Sequence, residues 1–343
     1  MSNLHLQFNK YPSIENTYQT TYIDKIKSYV STDILWDVTE KVHGANCCLI
    51  TDGNIVEFAK RSSIVGNTTN FFNYQDVLLK NKFNILSAFV AVCKLLITDQ
   101  VKTVQFYGEL FGGCYPHKDV LKDTRYKAVQ RGIYYAPYEE FYGFDIAVIF
   151  TDDSRIWLNP EHVNLIYSNS NIFYAKSLFR GSLDECLQFN NAFQTYIPQW
   201  LGLPDITDNI CEGVVIKPMV PQFFPNGERI LLKNKNERFT EKKGEKSHKV
   251  IVDLPDNINN ILSDISEYIN INRLNNIISH EGEFNMPHDF GRCMKLFAED
   301  VLKDFTKDYS KQWNSIEKVN QKIITKEMTN KIKNIIKQYY NIK

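Results

Sequence analysis

A lysine at the end of a predicted strand is the residue of this chain best suited to act as a nucleophile. A β-prone run at 34–38 leads into Lys41, and Gly44 breaks the run before a second strand-like segment. A lysine side chain has an ordinary pKa of about 10.4, so it attacks only after losing a proton, which burial or nearby positive charge favours. Taken alone, the pattern equally describes a strand-end lysine that points into water.

Other charged residues lie at the ends of further predicted strands. Arg61 closes one strand, Glu109 lies near the end of another, and Glu212 opens a third. Guanidinium groups bind phosphate or ribose oxygens, and carboxylates beside phosphates suit Mg²⁺.

Two lysines on one predicted strand are separated by a single residue. Lys233 and Lys235 alternate along a predicted strand, so both face the same side of it. Two ammonium groups on one face could contact a phosphate and favour the amine form of a neighbouring lysine. The alternative is a solubilising pair on an exposed face.

The order of these residues resembles that of a known superfamily. Lys41-x-x-Gly44-x-Asn46 is similar to the nucleophile motif of the covalent nucleotidyltransferases, which include polynucleotide ligases and mRNA capping enzymes. The rest of that set follows in order: Arg61 in Lys-Arg-Ser-Ser, Glu109 in Phe-Tyr-Gly-Glu-Leu-Phe-Gly, Phe144 in Phe-Tyr-Gly-Phe-Asp-Ile, Glu212 in Glu-Gly-Val-Val-Ile-Lys-Pro, and Lys233 and Lys235 in Leu-Leu-Lys-Asn-Lys-Asn. His43, Asn46 and a helical ending narrow the resemblance to the RNA ligase 2 branch, with its bacteriophage RNA ligases and trypanosome RNA-editing ligases.

The resemblance implies an ATP-dependent RNA ligase that seals 3′-hydroxyl and 5′-phosphate ends through a lysyl-AMP intermediate, with nicked duplex RNA the favoured context. It implies ATP and Mg²⁺ as cofactors, with Mn²⁺ as an alternative metal. The implied catalytic residues are Lys41, Lys233, Lys235 and His43. The implied nucleotide-binding residues are Glu40, Lys41, Val42, Asn46, Arg61, Glu109, Phe144, Glu212, Lys233 and Lys235, and Glu212 also holds the metal. In the tail, Arg273 and Asp300 match positions that resemble functional residues of the family's helical domain.

Several alternatives stay open at this stage. His43 could instead be a structural histidine bonded within its turn, and Arg273 and Asp300 could be solvated side chains on amphipathic helices. A rival function is sealing of DNA or of mixed RNA/DNA nicks. A rival from another class is a nucleic-acid-binding protein with an inactive ligase fold.

The predicted strands and helices that carry these residues indicate an α+β fold. We expect an antiparallel-sheet nucleotidyltransferase domain, of the ATP-grasp-like ligase kind, at 1–243, followed by a small all-α C-terminal domain at 250–343. A charged segment at 239–249 predicts a linker between them. Strands are predicted at 34–41, 45–51, 55–60, 101–111, 134–150, 155–158, 211–217 and 229–235. Helices are predicted at 14–29, 72–96 (one or two), 160–167, 182–193, 258–279, 287–306 and 325–340.

Two of these elements carry finer expectations. The apolar residues at 72–96, including Val77, Phe83, Leu86, Val90 and Cys93, recur at helical spacing, and we expect all of them in the core. Tyr142 and Phe144 share one side of their strand by parity, with Phe144 offering a flat face to the adenine as the family's equivalent does. The lysines of 318–343 could contact an RNA backbone or form the solvated face of a last helix.

Composition limits the remaining possibilities. The formal net charge is zero, so RNA binding would depend on local basic patches. Seven cysteines form neither a CxxC pair nor a disulfide framework, and Cys114 with His117 lacks a second ligand pair, so no zinc site is expected. No signal peptide or membrane span is evident. We therefore expect a monomer in the cytoplasm or another reducing intracellular compartment, neither secreted nor bound to a membrane.

Overall fold

The computed structural model describes residues 6–66, 69, 71–241 and 255–342. It divides into two compact units, Met1–Asn236 and Glu237–Lys343, called here the first unit and the helical unit. Each unit has a hydrophobic core of its own. The linker expected at 239–249 lies mostly outside the described residues.

The first unit contains two five-stranded sheets. Its strands are β1 (Glu15–Asn16), β2 (Trp36–Lys41), β3 (Ala45–Thr51), β4 (Val56–Lys60), β5 (Val101–Gly112), β6 (Glu139–Phe150), β7 (Arg155–Trp157), β8 (Ser177–Gly181), β9 (Gly213–Pro218) and β10 (Leu232–Lys235). Sheet one has the order β1-β10-β9-β2-β8, and sheet two has the order β4-β3-β5-β6-β7. Only the β1–β10 pair among these is parallel. The predicted α+β class with antiparallel sheets is confirmed.

Helices cover one face of each sheet. They are α1 (Thr20–Tyr29), α2 (Tyr74–Leu96), α3 (Pro160–Asn169), α4 (Leu183–Leu187) and α5 (Ile197–Trp200). Helices α2 and α3 pack on sheet two around Leu49, Phe106 and Val148, while α1 and α4 pack on sheet one around Val38 and Ile216. Alternate residues of both sheets therefore point to the opposite face, where the charged residues of the motifs lie.

Local signals predicted some helix boundaries and missed others. The capping box of Ser182 and Glu185 begins α4, as predicted. The Ser182 hydroxyl accepts a hydrogen bond from the Glu185 amide, and the Glu185 carboxylate accepts one from the Ser182 amide. That helix ends at Leu187, earlier than the predicted end at 193. The predicted helix at 14–29 is also too long, because β1 occupies its first part and pairs with β10.

The prediction that every apolar residue of α2 lies in the core is wrong. Val77 is buried on the sheet-facing side, but 77% of Phe83 and 49% of Val90 are exposed. Leu86 and Cys93 are half-buried between the two sides. Helical periodicity identifies an apolar face and does not by itself say which face meets the sheet when a helix has two.

The helical unit consists of helices throughout its described part. They are α6 (Asp256–Glu267), α7 (Ile271–Glu281), α8 (Phe290–Asp308), α9 (Ser310–Ser315) and α10 (Lys318–Tyr339). The helix predicted at 258–279 is two helices, because Asn270 accepts a hydrogen bond from the Arg273 amide and starts a new one. No helix among the described residues is both long enough and apolar enough to cross a bilayer.

Candidate active site

Three neighbouring strands of sheet one bring two of the predicted lysines together. Lys41 at the end of β2 and Lys235 at the end of β10 are both in register with Gly213, the first residue of β9. Residues in one register row of an antiparallel sheet share a face. Gly213 has a φ of +145°, and a Cβ there would lie 2.1 Å from the Asn234 carbonyl oxygen, so only glycine lets the strands meet this closely.

Glu212 lies between the two lysines and holds both. Its Oε2 is 2.7 Å from Lys41 Nζ, and its Oε1 is 3.0 Å from Lys235 Nζ. The carboxylate is 1% exposed. Burial alone would raise its pKa, but the charges of Lys235 and Lys41 hold the pKa of Glu212 well below its usual range. Glu212 is therefore a buried, permanently ionised carboxylate beside the candidate nucleophile.

His43 lies at the same carboxylate. Its Nδ1 is 3.7 Å from Glu212 Oε2, and its backbone N–H donates to the Tyr135 hydroxyl at 2.9 Å. The imidazole thus faces the charged group of the site, while the backbone of the residue is fixed by a tyrosine from another segment.

Strands of sheet two supply the opposite side of the site. Asn46 on β3 is in register with Glu109 on β5 and hydrogen-bonds to its carboxyl group. Burial raises the pKa of Glu109 to about 7, against the opposing charges of Lys41 and Arg61. A Cβ on Gly44 would lie 2.2 Å from the Leu110 carbonyl oxygen, so the glycine of the motif is what lets β3 begin beside β5.

Two carboxylates near the nucleophile therefore behave differently. Glu212 has a salt bridge to each of two lysines and stays ionised, whereas Glu109 titrates close to neutral pH. Environments that separate the pKa values of neighbouring acids are a feature of functional sites. Arg61, directly after β4, is a further cation near Glu109, and its charge lowers the pKa of that carboxyl group.

Glu40 and Val42 flank the nucleophile but turn their side chains away from it. The Glu40 carboxylate accepts hydrogen bonds from the Thr195 hydroxyl and, at 3.0 Å, from the Tyr196 amide. Burial raises its pKa to about 7. Val42 is 4% exposed. The side chain of Glu40 is thus engaged in fixing the loop after α4, which leaves its backbone as the part that could face a nucleotide.

Lys233 lies on the same face as Lys235, as the alternation predicted, but one row away. It is in register with Val215 on β9 and Asn16 on β1. Its neighbour Asn234 belongs to the opposite face and accepts a hydrogen bond from the Asn191 side chain. The two lysines therefore form a short cationic row that leads away from Glu212.

Tyr142 and Phe144 lie on one side of β6, as their parity predicted, although the strand contains a bulge. Gly143 pairs with Gly108 and Asp145 with Tyr107, so Phe144 is an extra residue in its strand. Tyr142 is buried against Phe111 and Phe173, whereas Phe144 packs edge-on against Tyr11 at 5.0 Å. Phe144 remains half-buried, and its carbonyl accepts a hydrogen bond from Lys217 Nζ at 2.7 Å.

A charged cluster behind Phe144 was not predicted from the sequence. Asp145 accepts hydrogen bonds from the Tyr11 hydroxyl at 2.9 Å and from Arg229 at 2.7 Å. The charges of Arg229 and Lys217 outweigh burial and hold the pKa of Asp145 below its usual value. One signal was available: Lys217 alternates with Gly213 on β9, so it shares the face of the site.

A cavity of about 400 Å³ adjoins this cluster and is lined by Lys10, Arg155, Trp157, Glu228 and Arg229 among others. The guanidinium groups of Arg155 and Arg229 lie over the Trp157 ring at 4.3 Å and 3.9 Å. None of the residues predicted from the motifs lines this cavity. The cavity is therefore lined by a different set of residues from the predicted site, with Arg229 as its link to the Asp145 cluster.

Arg273 and Asp300 contact each other within the helical unit. Arg273 is 1% exposed and forms ion pairs with Asp300 and, at 2.9 Å, with Asp304. Its Nε donates to the Tyr268 carbonyl at 2.9 Å. These contacts tie α7 to α8, so the arginine has a packing role whatever else it does.

A metal would find few protein ligands in the described part of the chain. No group of three or more His, Cys, Asp or Glu side chains there could hold an ion by itself. Cys114 and His117 belong to no such group among the described residues. Glu212 fits a Mg²⁺ site of the kind in which one carboxylate, waters and substrate phosphates share the coordination.

Two family models match the chain. Residues 35–235 match the model described as RNA ligase, and residues 252–334 match the model described as T4 RNA ligase 2 C-terminal. The mitochondrial RNA-editing ligase 2 of Trypanosoma brucei brucei is 28% identical over 87% of this chain and 83% of its own length. The mitochondrial RNA-editing ligase 1 of the same organism is 33% identical over 53% of this chain, which spans 44% of that protein. A mutant of the Naegleria gruberi RNA ligase with ATP and Mn superposes with a TM-score of 0.41 at 14% identity, covering 68% of this chain and 58% of that one.

Proposed function

This chain belongs to the RNA ligase family, and from that premise we propose that it uses ATP to seal 3′-hydroxyl and 5′-phosphate ends of RNA, with nicks in duplex RNA as the preferred substrate. The observation that carries the proposal is the arrangement of Lys41 and Lys235 around the buried carboxylate of Glu212. Glu109 and Arg61 face this group from the other sheet.

The first step is adenylation of Lys41. Its Nζ, after losing a proton, attacks the α-phosphorus of ATP; a nitrogen–phosphorus bond forms, the bond to the bridging oxygen breaks, and pyrophosphate leaves. Phosphoryl-group transfer of this kind depends on in-line positioning and on neutralising charge. Lys235 and Lys233 supply positive charge on one side, and Arg61 supplies it on the other.

The remaining roles are part of the proposal. We assign to Glu109 a hydrogen bond from a ribose hydroxyl, and to the exposed side of Phe144 a contact with the base. Glu212 is the residue that would hold Mg²⁺, or Mn²⁺ in its place, and the ion would offset the negative charge of the phosphates. His43, at the same carboxylate, is placed to act after the lysine has reacted.

AMP then passes to the 5′-phosphate of the RNA, and the 3′-hydroxyl attacks that activated end and expels AMP. We assign nucleotide chemistry to residues 1–243 and RNA recognition mainly to residues 250–343. The exposed lysines of α10 support this assignment, because Lys318, Lys322, Lys326 and Lys333 form a basic row on one side of the helix.

We further propose that the protein acts as a monomer in a reducing compartment within the cell. All seven cysteines lie among the described residues, and none is in a disulfide. Five of them are buried, and burial raises the pKa of thiols such as Cys47, Cys48 and Cys211. Such thiols are inert packing groups rather than a disulfide framework.

The proposal is tested by forming and mapping the covalent adduct. Purified protein is mixed with labelled ATP and Mg²⁺, and the intact mass should rise by one AMP. Lys41→Ala should abolish that rise, while Lys102→Ala, which removes an exposed strand lysine that also pairs with a carboxylate, should leave it unchanged. An adduct that persists in Lys41→Ala, or no adduct in the wild-type protein, would reject the assignment.

Substrate preference needs a separate comparison. The adenylated protein should seal a nick in duplex RNA faster than it joins single strands or seals the same nick in DNA. Equal sealing of the DNA nick would favour the rival reading as a ligase for DNA or mixed duplexes. Binding of RNA without any sealing would favour an inactive ligase fold.

A further inference from the structure

Helix α2 carries a second apolar row on the side away from the sheet. Its sheet-facing residues, among them Val77, Ile85 and Val92, are buried in the core of the first unit. The outer row contains some of the most exposed large apolar side chains among the described residues: Leu79 at 72%, Phe83 at 77%, Val90 at 49% and Ile97 at 91%. Leu86 and Cys93, both half-buried, fill the gaps in that row.

The spacing of the outer row is that of a coiled-coil seam. Positions 79, 83, 86, 90, 93 and 97 are separated by four, three, four, three and four residues. Apolar residues at alternate steps of three and four are what a helix needs to insert its side chains between those of a second helix. The row extends over about 27 Å at 1.5 Å per residue, or about five turns of helix.

The last residue of the row has an unfavourable backbone. Ile97 ends α2 with a φ of 51°, in the left-handed region, although it is β-branched. Glycine or asparagine is the usual choice at this position, and a β-branched residue there is strained. Here the strained residue presents an isoleucine to solvent at the next step of the seam, where a contact with another molecule would use it.

Charges beside the row define the partner. Lys80 and Lys94 lie on one flank with Ser87 between them, and Lys82 lies on the other flank, followed by the half-buried Phe89 and Leu96. Lys80 is already ion-paired with Glu140, so the exposed Lys82 and Lys94 carry the charge that a partner would meet. None of these six flanking positions is acidic, so a second copy of α2 would bring no carboxylate to pair with the lysines. Glutamate or aspartate on the flanks of the partner would be complementary.

We propose that the outer face of α2 docks an amphipathic helix of a partner protein, with an apolar heptad seam and acidic flanking residues. The exposed seam, with Lys82 and Lys94 beside it, fits a helix better than the broad apolar face that lies in a membrane surface. This surface is separate from the nucleophile and its ion pairs. The proposal does not depend on the ligase activity and adds a recruitment site to it.

The test uses the full chain and a labelled three-heptad peptide, with leucine and isoleucine on its seam and glutamate on its flanks. A matched peptide with lysine on its flanks is the charge control. Fluorescence anisotropy should show saturable binding of the acidic peptide and about ten-fold weaker binding of the basic one. Phe83→Gln and Val90→Gln should each weaken the acidic peptide by about ten-fold or more.

The control variant is Leu165→Gln, which removes an exposed leucine (52%) from α3 in the same unit. It should bind the peptide like the wild type, and all three variants should still form the lysine adduct if the surface is separate from the site. Equal binding of both peptides, or loss of binding in Leu165→Gln, would overturn the proposal. So would a concentration-dependent dimer that Phe83→Gln abolishes, or binding to phosphatidylserine vesicles in place of the peptide.

Discussion

At the scale of single residues, the site depends on one carboxylate that is shared by two ammonium groups. Lys235 Nζ is 3.0 Å from Glu212 and its side chain is 9% exposed, so the lysine belongs to the interior of the site. A solubilising pair would lie in solvent. We therefore expect substitution of Lys235, which contacts Glu212, to affect the site more than substitution of Lys233, which lies one row away.

We expect both Lys233→Ala and Lys235→Ala to fold and to lose lysine adenylation, by about a hundred-fold for Lys235→Ala, because phosphate charge is left unbalanced. The rate of adduct formation by mass spectrometry measures this loss, and the midpoint of thermal unfolding verifies the fold. Lys102→Ala is the matched control. Unchanged adenylation in both variants would show that the two lysines are a solubilising pair and have no role in the reaction.

Glu109 should make nucleoside binding depend on pH. Its pKa of about 7 means that the ionised form, which accepts a hydrogen bond from a ribose hydroxyl, predominates at pH 8 and is the minor form at pH 6. Binding of adenosine, which has no phosphate to titrate, should therefore weaken by about ten-fold between pH 8 and pH 6.

The measurement is calorimetric titration with adenosine at both pH values. In Glu109→Gln the affinity should be lower and should not change across this window, because the amide has no proton to gain. A wild-type affinity that is equal at pH 6 and pH 8 would contradict the role of the Glu109 carboxylate.

Several residues of the motifs could be predicted from sequence because they lie at strand ends: Lys41 ends β2, Arg61 follows β4 and Lys235 ends β10. The cluster behind Phe144 could not be predicted in this way. Asp145 and Arg229 are separated by 84 residues, and nothing in the local pattern indicates that they meet. Only the arrangement of whole strands in the two sheets brings these two residues together.

At the scale of elements, Gly44 and Gly213 set how closely the strands of the site approach, and Gly66 is a glycine without this constraint. Gly44 lies where a Cβ would meet the Leu110 carbonyl oxygen at 2.2 Å, a contact that backbone must move to relieve. Gly66, also in the first unit, has its nearest neighbour at 3.8 Å, from the Thr69 side chain. The two positions therefore differ in available space.

We expect Gly44→Ala to lower the free energy of unfolding by about 2 kcal/mol or more and to reduce adenylation, since β3 and β5 must separate. Gly66→Ala should change neither quantity appreciably. Chemical denaturation and adduct formation measure the two effects. A stable and fully active Gly44→Ala protein would show that the motif glycine is not a steric requirement.

The Arg273 contacts predict a second effect at this scale, in the helical unit. Arg273→Gln leaves two carboxylates of α8 without their partner and should destabilise this unit by about 3 kcal/mol. Arg292→Gln, which removes a half-exposed arginine paired with Glu281, should cost less than about 0.5 kcal/mol. Calorimetric unfolding measures both. An unchanged stability of Arg273→Gln together with weaker RNA binding would assign the arginine to substrate contact instead.

The sequence predicted the type of an element correctly where its pattern was compatible with only one type. The strands of the motifs and α3 lie close to where alternation and capping predicted them. One exception is α2, whose second apolar face changes which side chains are buried without changing the type of the element. Composition and periodicity are insensitive to such changes.

At the scale of the whole molecule, a chain with zero net charge binds an anionic polymer only through local patches. The described part of the helical unit contains no residue of the nucleotide motifs, but it does contain the lysine row of α10. The first unit contains the motifs and a separate core. This division predicts that adenylation and nick sealing can be separated by truncation.

A fragment of residues 1–241 should still form lysyl-AMP, at least in part, yet seal a nicked RNA duplex far more slowly than the full chain. Both proteins are supplied in the adenylated form, so that only the later steps are compared. RNA binding by the full chain should also fall steeply with salt. Equal sealing rates for fragment and full chain would remove the RNA-recognition role from the helical unit.

The ion pair between Lys41 and Glu212 has a consequence for the enzyme at rest. Cells contain acyl phosphates, thioesters and isocyanic acid, all of which modify amines that have a lone pair to offer. Lys41 Nζ lies 2.7 Å from a Glu212 oxygen and only 19% of the lysine side chain is exposed, so such a reagent meets an amine that is mostly covered and already engaged. We therefore expect these reagents to modify Lys41 more slowly than the exposed Lys102, and the proposed nucleophile to stay intact between substrates.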